Sequence, residues 1–163
     1  MNRSLILAAL LVAAVLASGQ QGTPPAQTPA APNSGQPASQ PLDLEEAVSH
    51  DVLEPLQAAI QTQNLKQALS VFDAQAVPDF PQVRDQLRAL FDSYSVLLFR
   101  YKILQASAGE KRASVTCEAD VDATPLDRDQ PPIRRSNQLR LELKQTPKGW
   151  QIVSFSPANF FSL

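Results

Sequence analysis

The spacing of the apolar residues changes once along this chain, and that change limits the fold more than any other feature. Before about residue 94, apolar side chains recur at steps of three and four residues, which is the period of an amphipathic helix. From about residue 95 they alternate with polar side chains, which is the period of a strand with one buried face. Helices followed by strands predict an α+β domain.

The helical part divides into three segments. Residues 42–64 carry one apolar stripe, and Pro55 either kinks this helix or marks the first turn of a second one, capped near Ser49 or Asp51. Residues 65–72 predict a short second helix. The third helix ends near residue 93, and Asp79 with Gln82 three residues later has the spacing of a capping box at its start.

Four alternating segments predict the strands of one curved antiparallel sheet. They cover residues 95–105, 112–122, 133–145 and 150–155. The turn before the last strand has Pro second and Gly fourth, which is typical of a type I turn. We therefore expect about four strands, each with its apolar side facing the three helices.

Carboxylates share the polar face of the second strand. Glu118, Asp120 and Asp122 would lie across from basic residues of the third strand, such as Arg134 and Arg140. Cross-strand pairs of this kind contribute roughly 0.2–1 kcal/mol each and help to set register. A divalent-metal cluster is the alternative, although no glycine-bearing loop surrounds these carboxylates. The pattern favours a solvated, register-setting face, and we expect no metal site.

The first quarter of the chain cannot build a core of its own. No ionisable side chain occurs between Arg3 and Asp43, and the first aromatic residue is Phe72. Residues 20–41 contain six prolines, five glutamines and no charge, so we expect a disordered linker with polyproline II character. It is interpreted either as a spacer or as a neutral leader. The folded domain is expected over residues 42–163.

The N-terminus has the features of a signal peptide. Residues 5–17 form an apolar run of 13 residues after Arg3, shorter than the roughly 20 residues that a membrane span requires. Small residues follow, and cleavage is expected after Ala17 or Gly19. We therefore predict a signal peptide over residues 1–19 and export to the bacterial periplasm or the extracellular space. An uncleaved N-terminal anchor is the alternative; with cleavage, no membrane span is expected.

Charge and residue usage exclude several classes of site. There is no run of Lys or Arg, so the sequence lacks the basic patch that is typical of nucleic-acid binding. The single cysteine, Cys117, excludes an intramolecular disulfide and a cysteine-based metal site; it is interpreted as buried, with a reactive or intermolecular thiol as the alternative. His50 is the one histidine and is interpreted as a solvated helix residue. No phosphate-binding glycine loop or dinucleotide motif occurs, and no cofactor is expected.

Three stretches resemble a known family. They are residues 56–76 (LQAAIQTQNLKQALSVFDAQA), 83–91 (VRDQLRALF) and 139–157 (LRLELKQTPKGWQIVSFSP), the last with Gly-Trp-x-Ile-Val in its final strand. In this order they are similar to the NTF2-like superfamily, which includes SnoaL-type and ketosteroid-isomerase-like proteins. The resemblance implies three helices closing one side of a curved sheet, with a conical pocket between them.

The resemblance also implies which side chains would line that pocket. They lie on the third helix and on the apolar faces of the strands, with two polar residues nearer the mouth. The candidates are Leu87, Phe91, Tyr94, Phe99, Tyr101, Val115, Cys117, Arg135, Asn137 and Leu139.

The chain departs from the catalytic members that it resembles. Those members place an acid or base on a hairpin between the second and third helices or on the facing strands, and residues 73–80 are too short for such a hairpin. Tyr94 and Tyr101 are available, but the sheet carboxylates fall on the polar face, and Asp73 and Asp79 are typical of cap or turn residues. We therefore expect no catalytic residue.

Two functions remain from this evidence. The first is an exported, non-enzymatic NTF2-like domain that binds a small apolar ligand or a protein partner, with a homodimer through the sheet as one such partner. Residues 158–163 (ANFFSL), with Phe160 and Phe161, are expected to seal the core, or alternatively to contact a partner. The second function is a ketosteroid-isomerase- or cyclase-like enzyme with an atypical acid/base site in the pocket.

Overall fold

A computed structural model describes residues 41–163. The predicted signal peptide and linker lie outside these residues, except that Pro41 begins the first helix. Within residues 41–163, no helix is long and apolar enough to cross a membrane.

The first helical arm is one continuous helical run. Helix α1 covers Pro41–Val48, a π-helical turn covers Ser49–Leu53, and helix α2 covers Glu54–Gln61. Pro55 lies in the first turn of α2, where its missing N–H costs little. The backbone stays helical through Leu53 and Glu54, and no side chain of residues 41–163 caps α2, so the alternative of a separately capped second helix is wrong; Pro55 follows a π-helical irregularity within one run.

Two further helices follow the arm. Helix α3 covers Leu65–Ser70, and the side chain of Asn64 caps it by accepting a hydrogen bond from the backbone N–H of Gln67 at 3.1 Å. Helix α4 covers Phe80–Ser93, with a proline in its first turn. The predicted capping box at Asp79 is wrong: this residue has φ −115° and ψ 44°, outside the extended region of a typical N-cap, and its side chain caps no N–H.

Four antiparallel strands form a meander in the order β1-β2-β3-β4. Strand β1 covers Tyr94–Ala108, β2 covers Arg112–Pro125, β3 covers Ile133–Thr146 and β4 covers Gly149–Ser156. Each strand contains the predicted segment and extends beyond it at one or both ends. The predicted α+β fold, with helices packed on a curved four-stranded antiparallel sheet, is therefore confirmed.

Register places small residues of β2 opposite large residues of its neighbours. Tyr101 lies opposite Ala119, and Leu97 lies opposite Ala123. Register shifts interrupt the β1–β2 pairing after Tyr94 and after Ile103, and the β3–β4 pairing after Glu142; such irregularities bend and twist strands. The concave face that results holds one hydrophobic core, shared by the helical arm, α3 and α4.

Residues of the helical segments form hydrogen bonds with both edge strands of the sheet. On the β1 edge, the side chain of Gln57 donates to the carbonyl oxygen of Phe99 at 2.7 Å, and that of Gln63 donates to the carbonyl oxygen of Tyr94 at 2.6 Å. On the β4 edge, the backbone of Ile152 exchanges hydrogen bonds of 2.9 Å with Val71 and Asp73. These bonds hold the helical arm and the segment after α3 against the two edges of the sheet.

Candidate functional site

The ten predicted pocket residues lie in or against one core. Five are buried, three are half-buried aromatic residues packed against the core, and two are half-buried polar residues of β3. In that order they are Leu87, Phe99, Val115, Cys117 and Leu139; Phe91, Tyr94 and Tyr101; Arg135 and Asn137. Whether they bind a ligand stays a prediction.

The tail (residues 158–163) fills the space that these residues surround. Phe160 and Phe161 are only 2% and 4% exposed. The ring of Phe160 packs edge-on against Phe99 with 6.3 Å between centroids, and Phe161 packs against Phe155 at 5.7 Å. The prediction that the tail seals the core is confirmed.

Two polar side chains hold the tail in place. Gln86 of α4 donates from Nε2 to the carbonyl oxygen of Ala158 at 3.1 Å, and Arg135 of β3 donates from Nη1 to the carbonyl oxygen of Ser162 at 2.7 Å. The Oε1 atom of Gln86 is buried and accepts no hydrogen bond. A buried acceptor without a donor costs about 1–3 kcal/mol, so the contact between α4 and the tail is imperfect.

Two grooves run beside Gln86, between α4 and the end of the chain. The first groove has a volume of about 140 Å³, with Gln86 of α4 and Asp79, just before this helix, facing Phe155 and Ala158. The second groove has a volume of about 180 Å³ and is lined by Gln86 and Tyr94 together with the tail. Tyr94 is thus the one predicted pocket residue that lines either groove.

Cys117 lies at the centre of the concave face. It is fully buried, and its Sγ lies 3.5 Å from the carbonyl oxygen of Leu139. Burial disfavours the thiolate and raises the pKa of Cys117 to about 11. A thiol with this pKa is protonated and unreactive at neutral pH, so the interpretation of Cys117 as a buried apolar residue is confirmed.

The groups that an isomerase would need do not meet in residues 41–163. Tyr101 contacts the hydroxyl of Ser49 at 3.4 Å, and Asp79 has no hydrogen bond to either tyrosine among these residues. Asp73 accepts from the backbone N–H of Gln75 at 3.1 Å, and this bond, with Lys144 nearby, lowers its pKa. Asp73 therefore stabilises a turn beside the edge strand β4.

His50 lies on the surface of the π-helical turn. Its side chain is 82% exposed, and its Nδ1 lies 3.2 Å from Oδ1 of Asp51. The other oxygen of Asp51 accepts the backbone N–H of Trp150 at 3.0 Å, so this carboxylate ties the helical arm to the turn before β4. The interpretation of His50 as a solvated residue is confirmed.

The outer face of the sheet carries the ion pairs. Arg134 lies directly opposite Asp122, as predicted, and Arg100 of β1 pairs with the same carboxylate. The expectation for Arg140 is wrong, because the register places it opposite Thr116 and it pairs with Glu142. Within residues 41–163, no group of three or more His, Cys, Asp or Glu could hold a metal ion.

Gln86 is the residue of this region that the sequence pattern missed. It lies three residues after Val83 and four before Leu90, both buried, so it falls on the apolar face of α4. A polar residue at a core position of an amphipathic helix is the signal that could have indicated it.

Sequence comparison identifies no relative: no known family profile and no curated protein matches the chain. Solved structures are similar in fold. A protein of the NTF2-like family from Streptomyces avermitilis is 17% identical, with a TM-score of 0.58 over 71% of this chain and 95% of its own. An NTF2-like superfamily protein from Salmonella enterica is 11% identical, with a TM-score of 0.59 over 69% and 87%. A hexachlorocyclohexane dehydrochlorinase is 8% identical, with a TM-score of 0.56 over 69% and 82%.

These similarities agree with the geometry described above. Residues 41–163 have the NTF2-like fold, so the resemblance seen in the sequence is confirmed for the fold. At these identities the similarity shows the fold alone, and function has to be argued from the residues of this chain.

Proposed function

We propose that this chain is an exported, non-enzymatic NTF2-like domain that binds a small apolar ligand on the concave side of its sheet. One observation carries the non-enzymatic part. The concave positions of β1–β4 hold no Asp, Glu or His, because the carboxylates of these strands lie on the outer face. Acid–base chemistry needs such a group within hydrogen-bonding reach of the substrate, and the carboxylate that lines the first groove, Asp79, has no tyrosine or histidine beside it there.

The ligand is proposed to be apolar because of what surrounds the grooves. Val83 and Phe155 line the first groove, and Leu90 and Phe161 line the second. Both grooves adjoin the aromatic cluster at the end of the chain. Ligand sites in proteins are typically concave, mostly apolar and supplied with a few polar groups, such as Gln82 in the first groove and Ser162 in the second.

Native mass spectrometry of the protein, purified after expression of the full chain, tests ligand binding. We expect a retained small molecule, or a rise in melting temperature with members of a panel of small apolar compounds. A clean apo mass together with no thermal shift across the panel would overturn the proposal.

Export is proposed from the signal features alone. Fractionation of bacteria that produce the full chain should give periplasmic protein whose mass shows an N-terminus at Ser18 or Gln20. Leu10→Arg places a charge in the apolar run and should hold the protein back in the cytoplasm, whereas Ser34→Arg in the linker should not. Uncleaved wild-type protein in the cytoplasmic fraction would refute export.

A homodimer through the outer face of the sheet is also proposed, as the predicted protein partner. Val96 and Leu98 on this face of β1 are 51% and 43% exposed, which is unusual for large apolar side chains side by side. Light scattering should give a dimer mass for the wild type and a monomer mass for Leu98→Glu. A monomeric wild type at high concentration would exclude this dimer.

A further inference from the structure

Arg135 is the one cationic side chain on the concave side of β1–β4. The other basic residues of these strands lie on the outer face or at the strand ends. Its guanidinium donates to the carbonyl oxygen of Ser162, a neutral acceptor, and no carboxylate within residues 41–163 lies at ion-pair distance from it. Guanidinium groups bind carboxylates through two parallel hydrogen bonds, so Arg135 has donors to spare.

The tail lies beside Arg135 on the concave side of the sheet, where a bound ligand would lie. Two aromatic side chains, Phe160 and Phe161, fill the apolar space, and an oxygen acceptor that follows them lies on Arg135. An apolar body followed by an oxygen acceptor is also the arrangement of an aryl or alkyl carboxylate. Such a molecule would offer Arg135 a charged partner, which the Ser162 carbonyl does not.

The contact between the tail and α4 leaves a polar atom without a partner. The Gln86 amide that holds Ala158 leaves its own oxygen buried without a donor. The two grooves of about 140 and 180 Å³ also separate α4 from the end of the chain on either side of this contact. Lifting the tail would return the Gln86 oxygen to solvent, so this unpaired acceptor favours displacement.

We propose that the tail is a displaceable internal occupant of a site for small carboxylates with an apolar body. In the occupied state, the carboxylate binds the Arg135 guanidinium and the apolar body takes the place of Phe161, while the tail moves out. This inference rests on the proposed function and adds to it the class of ligand and the means of access.

Calorimetric titration with 4-phenylbutyrate and with its alcohol, 4-phenylbutanol, tests this proposal. We expect the acid to bind at least about tenfold more tightly than the alcohol, because the Arg135 contact is charge-assisted. Arg135→Gln should abolish that difference. The matched control is Arg134→Gln, the neighbouring residue on the outer face of β3, which should keep the difference unchanged.

A second pair of variants tests displacement. Phe161→Ala weakens the internal competitor and should tighten phenylbutyrate binding about tenfold, because affinity is reduced by the fraction of molecules in which the site is filled. If circular dichroism shows that this variant is unfolded, Gln86→Ala loosens the tail without touching the aromatic cluster and should act in the same direction. Backbone NMR of the bound wild type should show shifts concentrated in residues 158–163.

The outcomes separate the two proposals. Equal affinity for the acid and the alcohol, or an unchanged preference in Arg135→Gln, would overturn the carboxylate site and leave apolar binding in place. Unchanged affinity in the folded tail variants would overturn displacement. If neither these compounds nor the wider apolar panel binds the wild type or the tail variants, the proposed function itself fails.

Discussion

The concave side of the sheet is covered by two helical packings of unequal quality. The helical arm buries Val48, Val52, Leu53, Leu56 and Ala59 completely. Gln57 and Gln61 of the arm donate to the carbonyl oxygen of Phe99, on the edge of β1. The α4 side has two grooves and a buried Gln86 oxygen without a donor, whereas the arm has one groove of about 180 Å³, beside Leu44 and Ala47 near its N-terminal end.

The difference follows from what each helix packs against. The arm meets the edge of β1, where the carbonyl oxygen of Phe99 accepts a hydrogen bond from Gln57 and that of Tyr94 accepts one from Gln63, just after the arm. Helix α4 meets the irregular tail, which offers Gln86 one carbonyl and no donor. The edge of β1 thus gives each of these donors an acceptor, whereas the tail leaves the Gln86 oxygen without a donor. The two grooves beside α4 lie where we propose that a ligand enters.

The largest expected difference between the two sides is the cost of deleting a buried leucine. Leu56→Ala on the arm should lower the free energy of unfolding by about 4–5 kcal/mol, because the tightly packed surroundings cannot collapse into the cavity. Leu90→Ala on α4 should cost about 2–3 kcal/mol, because its neighbours can relax into the adjoining groove. Urea denaturation measures both values, and equal losses would break the comparison.

The pH dependence of stability tests how completely both coverings exclude water from Cys117. Its pKa is about 11 in the folded protein, against 9.0 as the usual value, so the unfolded chain loses its proton first. Folding is therefore destabilised as the pH rises from about 9 to 11, by about 2–3 kcal/mol in total. The wild type should lose this much relative to Cys117→Ala over that interval. Parallel profiles for the two proteins would mean that solvent reaches the thiol.

A glycine substitution tests the tie between the arm and the sheet. Gly149 has a φ of +102°, and a Cβ at this position would lie 2.5 Å from Oδ2 of Asp51. Gly149→Ala should therefore cost about 1–3 kcal/mol in thermal or urea unfolding. Gly109→Ala is the control, since its Cβ would lie 3.5 Å from the nearest atom, and it should be nearly neutral. A neutral Gly149→Ala would show that Asp51 does not hold this turn.

The smallest expected effect compares glutamines on the two sides. Gln57→Leu removes the donor to Phe99 and should cost about 1 kcal/mol. Gln86→Leu also removes a donor but eliminates the buried orphan oxygen, so it should be neutral or slightly stabilising. Melting temperatures of the two variants should therefore move by different amounts or in opposite directions. Equal destabilisation would remove the evidence for a loose α4 side.

Most of the fold could be predicted because the spacing of apolar residues along the chain indicates each helix and strand. The alternation in residues 112–122 correctly placed Val115 and Cys117 inward and Glu118 outward. Strand ends were less predictable: β1 and β2 run past the predicted limits because pairing between them continues to Tyr94 and Pro125. The Arg140 partner also depended on exact register, which periodicity alone does not fix.

The sequence by itself determined which face of each helix and strand is buried, since the covalent geometry of each element fixes the side on which a residue lies. It also indicated that Phe160 and Phe161 would be buried. Only the tertiary structure decided how the tail is held, because Gln86 and Ala158 are 72 residues apart and Arg135 and Ser162 are 27 apart. No local pattern records a contact of that range, and the fit between two distant segments arises only when the sheet brings them together.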